Sequence, residues 1–170
     1  MRAEPFSNAF GLQNIYGVAK PVFRAFEQLN SAGDLILNAS IGSGSSAISA
    51  FATVISGSPR ERFRGARIFL TNFRRQDMPI AADTAVLLIA HGAMPAPTYA
   101  AVSLIDSTHT NPRALWESWG SPMYPTPTML AELQAASQLQ EQSVPLQRVS
   151  DTVVSLSIPL EPYASAFVHF

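Results

Sequence analysis

A chain of 170 residues can bury about 70% of the surface that its unfolded form exposes, which supports one real core and a small appendage but not the roughly 200 residues of a complete (β/α)8 barrel. Hydrophobic residues at 47% against charged residues at 14% exclude a disordered acidic or basic tail, and eleven basic against twelve acidic side chains leave a formal charge of -1, too small to gather nucleic acid or an anionic membrane. There is no cysteine, which removes disulfides, thiolate zinc sites and thiol nucleophiles together, and no segment approaches the roughly 18 uninterrupted apolar residues of a membrane span.

Met1-Arg2-Ala3-Glu4-Pro5 has no apolar run behind its positive charge, so no secretory signal is expected there. Lys20-Pro21 starts a helix, because proline is tolerated in the first turn, and Val22, Ala25, Phe26 and Leu29 then recur on one face. Gly33 is expected to stop it, with Asn30 to Asp34 as cap and turn. From Asp34 onward the period becomes two. Ala47 to Ile55 reads as a strand; Ala66, Ile68 and Leu70 alternate with Arg67, Phe69 and Thr71; Val102 and Leu104 flank Ser103. The run Ala85 to Ala90 is apolar throughout and predicts a central strand, with turns at Gly57-Ser58-Pro59 and at Gly92 to Pro97.

A long insertion separates Asp106 from Val149. Within it Asn111 caps a helix with Pro112 at its first position and Gly120 beyond its end, and Thr126-Pro127 repeats that arrangement for a helix carrying Leu130, Leu133 and Ala136. Gln138 to Gln147 reads as a solvated linker leading to a final hairpin. Its strands flank Pro159 to Pro162: Val154, Leu156 and Ile158 alternate with serines on one side, and Tyr163 to Phe170 follows on the other. Together these short strands predict a mainly β fold, an antiparallel sandwich.

Cleaving a sugar linkage requires two carboxyl groups facing each other across a cleft. Glu4, Glu27, Glu61, Asp77, Asp83, Asp106, Glu117, Glu132, Glu141, Asp151 and Glu161 fall in turns or on polar helix faces, where a solvated carboxylate is the plainer reading. His91, His109 and His169 lack any metal-binding spacing, and neither metal nor cofactor is expected. His109 stands close to Asp106 and Asn111, which suits a structural hydrogen bond. Gly42-Ser43-Gly44-Ser45-Ser46 lacks the lysine of a phosphate cradle and reads as a turn. Arg60, Arg62, Arg64, Arg67, Arg74 and Arg75 concentrate on one strand pair and its loops, which could mark a contact for an acidic partner or polyanion, but a solvated face is the plainer reading because the interleaved aromatics of a single-strand binder are missing. Trp116, Trp119 and Tyr124 are the residues that could stack on sugar rings, although the tryptophan spacing on a short helix suits packing against the body. Asn38-Ala39-Ser40 is a glycosylation sequon.

Two blocks resemble glycoside hydrolase family 39, the group of β-xylosidases and α-L-iduronidases. The first is Phe6-Ser7-Asn8-Ala9-Phe10-Gly11-Leu12 followed by Asn14, Gly17, Lys20-Pro21, Ala25-Phe26 and Leu29, similar to the family's last barrel loop and final barrel helix. The second is Ile105-Asp106, His109, Asn111-Pro112, Trp116 and Gly120-Ser121-Pro122, then Tyr124-Pro125-Thr126-Pro127 and the helix from Leu130 to Leu139, similar to a stretch of the family's β-sandwich domain. Ser7 and Asn8-Ala9 replace the family's His and Gly-Gly in the loop.

The resemblance implies that residues 1-33 are the last loop and helix of a barrel and that 34-170 form a β-sandwich with a helical insertion near 111-139. It also implies that the acid/base glutamate, in an Asn-Glu-Pro motif, and the nucleophile glutamate both precede this chain, so Ala3-Glu4-Pro5 is not that motif and no catalytic residue is expected here. Substrate-binding candidates are Phe6, Asn8 and Trp116. The expected function is the C-terminal accessory portion of a glycosidase, non-catalytic by itself; a stand-alone carbohydrate- or protein-binding sandwich is the alternative. The expected partners are a carbohydrate and the barrel of the parent enzyme, with neither nucleic acid nor membrane. A secreted or lysosomal setting suits the family. Without the barrel, the apolar face of the first helix should lie exposed, each large side chain forgoing about 1.5–3 kcal/mol of burial.

Overall fold

The structure, a computed structural model, describes residues 4–6, 11–40, 47–55, 65–75, 79–91 and 95–170. Two compact units divide the chain: Met1–Ser31 with Ile105–Gln140, and Ala32–Leu104 with Glu141–Phe170. The helical insertion thus shares its unit with the N-terminal segment.

The second unit is a β-sandwich. Its strands are β1 (Leu35–Leu37), β2 (Ile48–Ile55), β3 (Gly65–Asn72), β4 (Asp83–Ala90), β5 (Tyr99–Ile105), β6 (Glu141–Pro145), β7 (Gln147–Arg148), β8 (Val153–Leu160) and β9 (Ser165–His169). One sheet has the order β1-β2-β3-β9-β5-β6 and the other β4-β8-β7. Ile68 and Leu70 of β3, Val102 of β5 and Val168 of β9 meet Leu156, Ile158 and Leu160 of β8 in a single buried cluster, so the two sheets pack face to face. Alternation along β8 is clean, with Val154, Leu156, Ile158 and Leu160 buried between more exposed neighbours. Along β3 it is not, because Phe69 is buried as well. Register sets Phe69 between Phe51 on β2 and Phe167 on β9; it stacks on the first at 4.4 Å and meets the second edge-on at 5.7 Å, so an aromatic row covers that face.

Three expectations about the strands are corrected. Ala85 to Ala90 does not form a central strand: β4 lies at the margin of its sheet, and Val86 and Leu88 are 62% and 68% exposed. Apolar runs occur wherever one face is buried and the other stays apolar, and the run alone does not separate that case from a strand buried on both faces. The stretch Gln138 to Gln147 is not a linker throughout, since Glu141–Pro145 is β6 and pairs with β5. Its polar composition fits a marginal strand with only Val144 packed on the core. Finally, β8 and β9 are not a hairpin, because they belong to different sheets.

Asn72 holds the corner where the chain changes sheets. Its side chain is fully buried, and Nδ2 donates to the carbonyls of Ala81 at 2.9 Å, Leu160 at 3.1 Å and Glu161 at 3.1 Å. Its backbone N–H donates to Ala164 O at 3.0 Å and its carbonyl accepts from Tyr163 N at 2.9 Å. Tyr163 takes a positive φ of 62° to make that turn. One amide thus satisfies carbonyls that a sheet-to-sheet crossing would otherwise strand.

The first unit holds α1 (Pro21–Asn30), α2 (Pro112–Ser118) and α3 (Pro127–Ala136). The capping residues read from the sequence act as expected: Asn111 Oδ1 accepts from Ala114 N at 3.2 Å, and Thr126 Oγ1 from Met129 N at 3.3 Å. The core of this unit is Phe6, Val18, Trp116 and Leu133, with Leu115, Trp119 and Leu130 against it. Arg24 of α1 donates through Nε to Ser137 O at 2.8 Å, just beyond α3, where helix carbonyls lack internal partners. α1 itself ends at Asn30, with Ser31 as its cap, rather than at Gly33. Gly33 serves a different purpose: it lies in the second unit against the backbone of Val54, where a Cβ would collide with the Val54 carbonyl, and its N–H donates to Thr53 Oγ1 at 2.9 Å.

Candidate functional site

Two of the three substrate-binding candidates are brought together in the interior of the first unit. Phe6 and Trp116 are 6% and 5% exposed, and their rings lie 5.5 Å apart at 49°. Trp116 also donates through Nε1 to Pro122 O at 2.9 Å, so both its ring faces and its polar handle are committed inside the protein. A stacking platform for a sugar needs an open ring face, which neither residue presents. Trp119 packs against the same cluster, and Tyr124 is the exposed aromatic of the set at 76%. Asn8 lies outside the described residues, as do Gly42 to Ser46, Gly57 to Pro59 and Arg60, Arg62 and Arg64.

A dense polar constellation forms in the loop after β5. Asp106 Oδ1 accepts from His109 N at 2.6 Å and Thr108 N at 2.8 Å, and Oδ2 lies 2.8 Å from His109 Nδ1. The carboxylate is 7% exposed and the imidazole 40%. Burial alone pushes the Asp106 carboxyl up, but the backbone N–H groups of His109 and Thr108 and their side chains together hold it below its ordinary value. The result is a closed loop around an ionised carboxylate, held by its own neighbours Thr108 and His109. The structural bond read for His109 in the sequence is this one.

Other described carboxylates are also engaged close to home. Glu27 pairs with Arg24 at 2.6 Å, Glu117 with Arg113 at 2.7 Å and Asp151 with Arg148 at 2.7 Å, each three or four residues away. Glu141 approaches His169 at 3.9 Å. Among the described residues, no cluster of three or more His, Asp or Glu side chains is arranged to hold a metal.

A cavity of about 430 Å³ opens in the second unit, lined by Leu37, Val54, Ala66, Ile89, Ala90, His91, Pro95, Pro97 and Phe170. It lies between the two sheets where β1 to β3 end opposite β4, and its walls are apolar apart from His91, whose backbone N–H is held by Thr152 O at 3.0 Å. Such walls suit an apolar group rather than a polyhydroxylated ring, which needs convergent hydrogen-bonding side chains. No sequence signal marks the cavity, because its lining comes from separate segments that the sheet order alone brings together.

Known proteins place these two units in context. A model described as "Glycosyl hydrolases family 39" matches residues 2–151. A β-xylosidase of Caldicellulosiruptor saccharolyticus is 26% identical over 160 residues, covering 94% of this chain and 31% of that protein. The fold is similar to the crystal structure of the GH39 enzyme from Xanthomonas axonopodis pv. citri, with a TM-score of 0.72 at 19% identity over 98% of this chain and 33% of that one. It is also similar to a monomeric β-xylosidase from Caulobacter crescentus CB15, with a TM-score of 0.68 at 19% identity over 98% of this chain and 34% of that one. The chain spans about a third of the length of these relatives.

Proposed function

Because the chain belongs to glycosyl hydrolase family 39, we propose that it is the accessory portion of such a hydrolase, a β-sandwich with its helical companion, and that it does not cleave glycosides by itself. The observation that carries this reading is the pairing of a family match over most of the chain with coverage of only about a third of its relatives. The carboxylates support it, because Glu27, Glu117 and Asp151 are spent on neighbouring arginines and Asp106 on its own loop. Retaining hydrolysis requires two carboxyl groups roughly 5–5.5 Å apart across the scissile bond. In this reading those groups belong to a barrel, which is also the partner of α1. No residue of α1 is buried, and Val22, Phe26 and Leu29 are 45%, 55% and 42% exposed on its apolar stripe. About half of each side chain is still to be covered, so covering that stripe recovers about 0.7–1.5 kcal/mol for each. The sandwich then lends stability to the enzyme, and its substrate is the xyloside or uronide class that the barrel would bind.

The test is an assay of the purified 170-residue chain on aryl β-xylosides and aryl iduronides. No turnover is expected. Turnover abolished by replacing one of the chain's own carboxylates overturns the reading. Reading the transcript upstream of Met1 gives an independent check: an in-frame Asn-Glu-Pro motif and a second glutamate strand are expected.

A further inference from the structure

The four sheet margins are not alike. β1 has three residues and β7 two, too short to template another strand. β6 carries Glu141, Gln142 and Ser143 and ends on Pro145, so charge and a missing donor blunt it. β4 has eight residues, no charge from Thr84 to Ala90, no proline and no glycine. It pairs with β8 on one side, and among the described residues no strand pairs with the other.

The ladder identifies which backbone groups face outward. In the register of β4 with β8, Asp83 stands opposite Leu160, and the same register continued sets His91 opposite Thr152. His91 N donates to Thr152 O at 3.0 Å, which makes that couple a hydrogen-bonded pair. Antiparallel pairs alternate, so the odd positions of β4 bond to β8 and the even ones do not. Pro159 agrees: it lies opposite Thr84, at a position where its missing N–H is not needed by β4. The N–H and C=O groups of Thr84, Val86, Leu88 and Ala90 therefore point away from β8. Their side chains lie on the solvent face of the sheet, where all four are exposed.

We propose that two copies of this chain join through β4, antiparallel about a two-fold axis at Leu87, so that their small sheets merge into one with the order β7-β8-β4-β4-β8-β7. This centring sets Val86 opposite Leu88 of the other copy and Thr84 opposite Ala90, and it makes those couples the hydrogen-bonded ones. The outward backbone groups then all find partners, and the two most exposed aliphatic side chains of the strand cover each other. On the inner face Ala85 meets Ile89 and Leu87 meets its own counterpart, so apolar stands against apolar throughout. At the ends Asp83 faces His91, an acid against an imidazole, and no like charges meet. A second copy fits this margin better than a charged or proline-rich peptide, because the strand is complementary to itself about its own centre.

Light scattering behind gel filtration, run across a concentration series, should give twice the chain mass, while Val86→Lys and Leu88→Lys should each give the single-chain mass with the far-ultraviolet circular dichroism of the parent and a melting temperature that no longer depends on concentration. Both side chains are exposed, so these variants fold as the parent does. A single cysteine introduced as Leu87→Cys, in a chain with no other, should form a disulfide-linked dimer under mild oxidation. Hydrogen exchange should show the amides of Val86 and Leu88 protected in the dimer and fast in the lysine variants. A monomer at every concentration overturns the proposal, as does a dimer that survives both lysines or fails to cross-link at position 87. Protected amides at Val86 and Leu88 in a monomer also overturn it, and assign the margin to another segment of the same polypeptide.

Discussion

Replacing Trp116 by alanine separates a packing residue from a sugar platform. The indole is 5% exposed, lies 5.5 Å from Phe6 and donates to the Pro122 carbonyl at 2.9 Å. Truncating a buried tryptophan costs about 3–5 kcal/mol through lost transfer energy and the cavity left behind. For a chain of this size, each kcal/mol shifts the midpoint by about 2–4 °C, so Trp116→Ala should lower it by roughly 6–20 °C. Trp116→Phe keeps most of the ring burial but strands the Pro122 carbonyl, so its cost is the smaller one of about 1–3 kcal/mol. Thermal and urea melts of the three proteins, run beside retention on immobilised xylan, measure both effects. If Trp116→Ala melts like the parent while losing retention on polysaccharide, the packing assignment is wrong and the residue is a binding platform.

Asn72→Asp should destabilise more than Asn72→Ala, because it sets a carboxylate against three carbonyl oxygens that now receive N–H donors; urea midpoints in the opposite order would count against the corner described here. Gly33→Ala should cost about 1–3 kcal/mol from the collision of its Cβ with the Val54 carbonyl, and a neutral melt would show that the backbone approach is looser. Asp106→Asn should cost most at neutral pH. The folded carboxyl is held below its ordinary value, so its contribution is complete above the ordinary carboxylate range and is lost as pH falls through the folded value. The gap between parent and variant should therefore close on strong acidification, and a gap independent of pH would refute the role given to the loop.

Features set by short-range chemistry were legible in the sequence. Asn111-Pro112 and Thr126-Pro127 mark the starts of α2 and α3 because a side-chain acceptor and a preset φ act within one turn. The alternation of β8 was legible because one face meets the core and the other does not. Sheet order was not. Ala85 to Ala90 is equally compatible with a middle or a marginal strand, and only the partners of β8 decide between them. Glu141 to Pro145 looks like a linker because a strand with most side chains in solvent has little pattern to show. Asn72 carries no motif at all, since its role depends on carbonyls as far as 89 residues away. At the candidate site, the tryptophan spacing favoured packing over stacking, and the burial of Trp116 follows that reading. The cavity between the sheets left no trace, being assembled from separate strands and loops.

The position of β9 has a consequence for how this protein is made. Although last in chain order, it lies between β3 and β5, with Arg67 opposite His169 and Phe69 opposite Phe167. On the ribosome, β1, β2 and β3 can zip as local hairpins long before the strand that completes them has been translated. During that interval β3 offers a bare flank bearing Phe69, the kind of nascent surface that chaperones hold and that otherwise aggregates. A translational stall or a nonsense codon that withholds Ser165–His169 would split the larger sheet into β1-β2-β3 and β5-β6, joined by nothing but tether.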